Sequence, residues 1–204
     1  MRLETYINED FEDAVKYIVV KIRRECKPFL KEFPVSSKFL YRGTRMTNDH
    51  DGIQNKKRRK DRKPTDTPED VTREIDNTFN SKFGWKPRTQ GVFATGNSRT
   101  STVYGIPHLF FPIGKYRYIW SPKIKDFYTH SYLDDFKSNY THNYEGSKEE
   151  GLENWAKETV KLYKSKRLND AAMSGNEIMF DVNRYYIIDR KYEVTLKRCF
   201  NEKI

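Results

Sequence analysis

Three short segments of the chain put a polar side chain at the edge of an apolar strand: Tyr41-Arg42-Gly43, Gly91-Val92-Phe93-Ala94-Thr95-Gly96 and Gly175-Asn176-Glu177-Ile178-Met179-Phe180. An arginine fixed at a strand end grips a diphosphate through two parallel charge-assisted bonds, a geometry that lysine does not copy. A turn of small residues after a strand lets a ligand approach the backbone, and a hydroxyl there orients a carboxylate. A glutamate on the third strand can then stabilise positive charge developing on a sugar, as carboxylates do in glycoside cleavage. Each residue also has a plainer reading: Arg42 as a strand-end ion pair, Thr95-Gly96 as an ordinary turn, Glu177 as an exposed strand residue. Taken jointly, the three segments suggest one cleft, with Phe93 and Tyr104 either as an aromatic wall for a flat ring or as core residues.

Other chemistry has less behind it. Ser101 and Ser121 lack a nucleophile elbow, and the chain has no Gly-rich phosphate loop and no strand-to-helix dinucleotide fingerprint. Asp126, Asp134 and Asp135 lie in a polar stretch that reads as a solvated loop rather than a divalent-ion site. His50, His108, His130 and His142 show no metal-ligand spacing, and two cysteines, Cys26 and Cys199, are too few for a zinc framework, so no metal is expected.

Elements must hold the three segments in place. Phe11, Val15, Ile18, Val19, Ile22, Cys26 and Phe29 recur at three- and four-residue steps, which predicts one helix from Asp10 to about Lys31. Lys38 to Gly43 then reads as a strand. Thr67-Pro68-Glu69-Asp70 reads as a capped helix start, with that helix ending before Gly84. Gln90 to Gly96 predicts a strand closed by glycine, and Ser98 caps a brief helix ending at Tyr104-Gly105. Leu109 to Pro112 and Tyr116 to Pro122 read as a hairpin around Gly114. Ser147 and Glu150 form a capping box for a helix running to about Lys166. A loop through Ala171 to Asn176 leads into a strand from Glu177 to Val182, and Tyr185 to Ile188 and Tyr192 to Phe200 read as late strands. Strands joined by short turns, without strict alternation with helices, favour an α+β fold.

At 204 residues the chain fits one domain, 1–204. Apolar residues make up only 36%, but with 14 Tyr and 13 Phe the core is expected to be built from bulky rings. No apolar run is long enough to cross a membrane and the N-terminus lacks a signal core, so a cytoplasmic location is expected. The net charge of +10 attracts polyanions. Much of it sits in an expected exposed loop at about 47–66, where Lys56, Lys57, Arg58, Arg59 and Lys60 form either a solvated run or a docking patch for an anionic partner.

The order of arginine, small-residue turn and glutamate resembles the arginine, Ser-Thr-Ser and glutamate motifs of mono-ADP-ribosyltransferases, particularly the small enzymes carried by bacteriophages. The resemblance spans about Phe39 to Val182 and implies an ADP-ribosyltransferase-like fold of split antiparallel sheets with flanking helices. It implies NAD as co-substrate, no metal, and a host macromolecule as acceptor, a protein first and nucleic acid second, in the host cytoplasm; host transcription, translation or defence machinery would be the target class. It makes Glu177 the catalytic residue, Arg42 the holder of the NAD phosphates and Thr95 a support, with Gly43, Phe93, Ala94, Gly96 and Tyr104 lining the NAD site. Two departures stand out. Ser-Thr-Ser is Ala94-Thr95-Gly96 here, and Gly175 occupies the place where arginine-modifying members carry a second glutamate.

A different class of function keeps the basic run and drops NAD: a nucleic-acid-binding or host-inhibitor protein using Lys56 to Lys63 on phosphates. A transferase fold with an inactive site is a third reading. No residue pattern assigns an oligomeric state or an acceptor residue.

Overall fold

The computed structural model describes residues 2–45, 52–59, 67–133 and 147–201, with side chains for all of these but 2–10, 132 and 133. It is an α+β fold of seven strands in one sheet, ordered β2-β7-β4-β1-β3-β6-β5, with helices flanking. The strand pairings given below are all antiparallel. The chain divides into two compact units, the first Met1–Lys57, Ala94–Tyr116 and Val182–Ile204, the second Arg58–Phe93 and Arg117–Asp181.

In the first unit, α1 (Arg2–Glu25) and α2 (Lys27–Glu32) replace the single helix expected from Asp10 to Lys31. Pro28 has no amide hydrogen to donate, so the chain breaks at Cys26 and restarts with proline in the first turn. The expected apolar stripe is present, with Val15, Ile18, Val19, Ile22, Cys26 and Phe29 all buried. Burial pushes the Cys26 thiol up to about 12, leaving it unreactive. Phe29 meets Phe33 at 5.2 Å and Phe111 edge-on at 5.8 Å, so rings do build this core.

Strand β1 (Tyr41–Thr44) pairs with β4 (Ile106–Pro112) from Tyr41↔Leu109 to Thr44↔Ile106, and with the end of β3 (Val92–Thr95) at Tyr41↔Thr95. β4 also pairs with β7 (Arg184–Asp189), and β7 with β2 (Ile53–Lys57). β2 lies at one edge of the sheet. Part of the expected basic loop is therefore strand: Lys56 and Lys57 sit opposite Tyr185 and Arg184. The β7 ladder holds the segment in spite of the like charges of Lys57 and Arg184, and lysines on an edge strand discourage further pairing. Lys60 lies outside the described residues, as do Lys63, His50, His142, Asp134 and Asp135. The expected strand over Tyr192 to Phe200 is a 3-10 turn, Arg190–Tyr192, followed by α9 (Glu193–Asn201). Tyr192, Leu196 and Phe200 recur every four residues, a helical period in which the first two are buried.

The second unit packs α3 (Glu69–Phe83), α4 (Pro87–Gln90), α6 (Phe127–Leu133), α7 (Lys148–Lys161) and α8 (Leu168–Ser174) with β5 (Arg117–Trp120) and β6 (Glu177–Asp181). α3 ends at Gly84 with φ 74° as expected, but Pro68 takes its N-cap position and Thr67 makes no cap bond. The capping box of Ser147 and Glu150 is present, although α7 ends at Lys161 rather than near Lys166. Lys82 donates to the carbonyls of Val160 at 2.9 Å and Tyr163 at 3.2 Å, satisfying the end of that helix. The expected hairpin around Gly114 does not form: β5 pairs with β6, Arg117↔Asp181 to Trp120↔Ile178. Two aromatic strands close in sequence each find a better partner elsewhere, and β pairing is decided by packing. The loop expected over Ala171 to Asn176 is instead mostly α8, ended by Gly175 at φ 70°. Ile75, Phe79, Ile119, Phe127, Trp155, Tyr163 and Met179 belong to the core of this unit.

Among the described residues no helix is long and apolar enough to cross a membrane. Among the same residues no group of three or more His, Cys, Asp or Glu side chains could hold a metal ion.

Candidate functional site

Each motif lies on its own strand: β1 carries Arg42, β3 ends in Ala94 and Thr95, and β6 begins at Glu177. By unit, Arg42, Gly43, Ala94, Thr95, Gly96 and Tyr104 belong to the first, Phe93 and Glu177 to the second.

In the first unit the Arg42 guanidinium lies over the Tyr185 ring, 5.5 Å from its centroid, and the residue is only half-buried. Beside it, Gly43 is required by close packing. A Cβ there would overlap the Ser101 carbonyl oxygen and come within 2.9 Å of Tyr104. The backbone of α5 (Ser98–Ser101) and the following 3-10 turn, Thr102–Tyr104, thus rests against β1. Tyr104 itself is 53% exposed, so it is no core aromatic. Thr95 is buried, and its hydroxyl accepts from the Asn97 amide at 3.2 Å. Asn97, not Ser98, caps α5, accepting from the amides of Arg99 at 2.9 Å and Thr100 at 3.4 Å. Thr95 thereby ties down the strand-to-helix turn.

In the second unit Glu177 sits at the start of β6, where Gly175 has turned the chain. Its amide donates to the Lys125 carbonyl at 2.7 Å, and the Asn176 side chain donates to the Ser121 carbonyl at 2.9 Å. Neither an exposed strand residue nor a solvated one, Glu177 has a side chain 11% exposed and accepts from Arg88 Nη1 at 3.3 Å. Arg88 is 8% exposed, and its guanidinium carbon lies 4.4 Å from the Phe127 ring centroid and 5.0 Å from that of Phe93. One face of Phe93 is therefore taken by a cation rather than left for a ligand ring.

The pair is anchored from behind. Asp76, buried on α3, accepts from the Arg88 amide at 2.8 Å and from the Thr89 amide and hydroxyl at 3.0 and 2.7 Å. It caps α4 from another helix, in place of Lys86, whose side chain makes no cap bond. Burial raises the Asp76 carboxyl above the ordinary range, against the pull of those three donors. The Tyr163 hydroxyl nearby is pushed up by burial and then by the Glu177 charge, so it stays neutral. Asp126 is engaged otherwise than as a metal ligand, accepting from the Thr129 amide at 2.8 Å and hydroxyl at 2.7 Å to cap α6.

No protein-family model, curated protein or solved structure matches the chain. The site is thus read from its own residues. Arg88 escaped the reading of the sequence because it belongs to a four-residue helix that no periodicity marks, and Asp76 because its partners lie on that helix rather than on its own, α3. Pro87 directly before Arg88 was the usable signal, since proline favours a first helical turn. Of the basic run, Arg58 pairs with Asp181, which also accepts from Arg117 Nε at 2.7 Å. Lys57 and Arg59 are exposed and Lys56 is half-buried.

Proposed function

We propose that the protein is a mono-ADP-ribosyltransferase of the ADP-ribosyltransferase-like fold, cleaving NAD and transferring ADP-ribose to a macromolecular acceptor, a host protein first. What supports this reading is Glu177 at the head of β6, a carboxylate only 11% exposed and met by a guanidinium at 3.3 Å, the kind of fixed charge the reaction needs. NAD is the co-substrate, and the donor set suits it. A guanidinium serves its diphosphate, a buried threonine turn brings backbone close, and a fixed carboxylate faces a ribosyl cation.

In this reaction the bond between ribose C1′ and the nicotinamide nitrogen breaks, and its electron pair leaves with nicotinamide, which becomes neutral. The oxocarbenium-like ribose is stabilised by Glu177, which also accepts hydrogen bonds from ribose hydroxyls. An acceptor nucleophile then attacks C1′ and loses its proton. No step needs a metal.

The test is transfer of label from NAD, labelled in its adenylate part, to host lysate with and without nuclease, comparing wild type with Glu177→Gln. Label transferred by wild type alone supports the reading, and nuclease sensitivity separates nucleic-acid from protein acceptors. Absence of both transfer and nicotinamide release in the wild type sinks it.

A further inference from the structure

Glu177 and Arg88 form a nearly buried pair whose guanidinium is built into the fold from three directions. Its own backbone amide is held by Asp76, its guanidinium carbon lies over the rings of Phe93 and Phe127, and its Nη1 meets Glu177. Its Nε is buried and makes no hydrogen bond, so the charge is compensated through the rings and the terminal nitrogens. The position of Nη1, from which the Glu177 carboxylate accepts, is therefore set by α4 and the two rings.

We propose that Arg88 is a positioning residue for Glu177, holding the carboxylate ionised and in one orientation toward the ribosyl cation; this rests on the transferase reading of Glu177. A guanidinium in contact favours the charged form of a carboxylate that burial would otherwise neutralise. A neutral Glu177 would offer no charge to the cation. A reoriented one would offer it in the wrong place, at a cost on the order of 100-fold in rate for a displacement of about 1 Å. Asp76 and Thr89 act one step further back, fixing α4 and with it Arg88.

The experiment uses the full chain with Arg88→Gln, Arg88→Lys and Glu177→Gln. Nicotinamide release gives kcat, KM and the pH profile, thermal unfolding gives Tm, and carbon-13 NMR follows the Glu177 carboxyl, identified by its loss in Glu177→Gln. In folded Arg88→Gln, kcat falls on the order of 100-fold with KM little changed. The acid limb of the profile and the Glu177 titration both move to higher pH. Arg88→Lys keeps the charge but not the planar fit between rings, and recovers part of kcat and most of the pH shift. A role confined to stability would lower Tm and leave the acid limb and the titration where they were, and that result overturns the proposal. Should Arg88→Gln fail to fold, Arg88→Lys decides: a fall in kcat at wild-type Tm sustains the proposal, and wild-type kcat and titration overturn it. If the wild type cleaves no NAD, the transferase reading fails, while the carbon-13 titration still reports separately whether Arg88 governs Glu177.

Discussion

Of the arginines that lie over aromatic rings, Arg42 and Arg88 differ in how far the rest of the residue is buried. Arg42, in the first unit, is half-buried on a strand with its guanidinium over one ring, Tyr185. Arg88, in the second, is 8% exposed, bounded by two rings and paired with Glu177. The first leaves the residue partly exposed; the second makes the cation part of the interior. An arginine at a strand end was legible in the sequence as such, but an arginine committed to the core is legible only once its partners are in place.

The largest expected effect breaks or upholds that contrast directly. Arg88→Ala leaves the Glu177 carboxylate buried without its guanidinium and opens a gap between Phe93 and Phe127, so it should cost about 3–5 kcal/mol of stability. Arg42→Ala removes a half-buried side chain and should cost less, about 1–2 kcal/mol, while weakening the proposed NAD binding. Urea unfolding of both variants measures the difference. Equal losses would mean that Arg42 is as structural as Arg88 and would remove it from the proposed diphosphate site.

Next in size is Gly43→Ala, expected to cost about 1–3 kcal/mol because the added methyl overlaps the Ser101 carbonyl. The same comparison sharpens here. If β1 and the turn that ends at Tyr104 are locked together at Gly43, the substitution also weakens NAD binding without touching Arg42. A neutral Gly43→Ala, by Tm and by NAD titration, would show that this packing is slack.

The pattern of what the sequence revealed follows the same physics. Elements with their own signal were legible: the apolar stripe from Val15 to Phe29, the capping box of Ser147 and Glu150, the strand starting at Glu177, and Gly84 as a helix end. What depended on distant partners was not. The aromatic strands β4 and β5 read as a hairpin because they are adjacent in sequence, yet β4 pairs with β1 and β7, and β5 with β6. Tyr192 to Phe200 is rich in residues that favour strands, but its buried positions repeat every four residues, and packing against the core chose the helix. Of the candidate site, the motif residues Arg42, Thr95 and Glu177 were visible as strand-end polar groups. The shell that fixes Glu177 was not, since Arg88 and Asp76 are brought together only by the fold.

The smallest effects are in the pH dependence of stability, where the two units should slope in opposite directions. In the first unit Glu25 accepts from Arg24 at 2.6 Å and from the Tyr186 hydroxyl at 2.7 Å, and these bonds hold its carboxyl below the ordinary value of 4.5. A depressed carboxyl stabilises the fold above 4.5, and that contribution is lost as pH falls through the lower folded value. In the second unit burial raises Asp76 above 3.8, so its contribution favours folding below 3.8 and is lost as pH rises through the higher folded value. The margin of wild type over Glu25→Gln should therefore widen as pH rises from about 3 to about 7, and the margin over Asp76→Asn should narrow. Urea unfolding of the three proteins across that range reads both slopes. Parallel slopes would mean that the three donors around Asp76 outweigh its burial, and that the anchor behind Arg88 is as solvated in effect as Glu25.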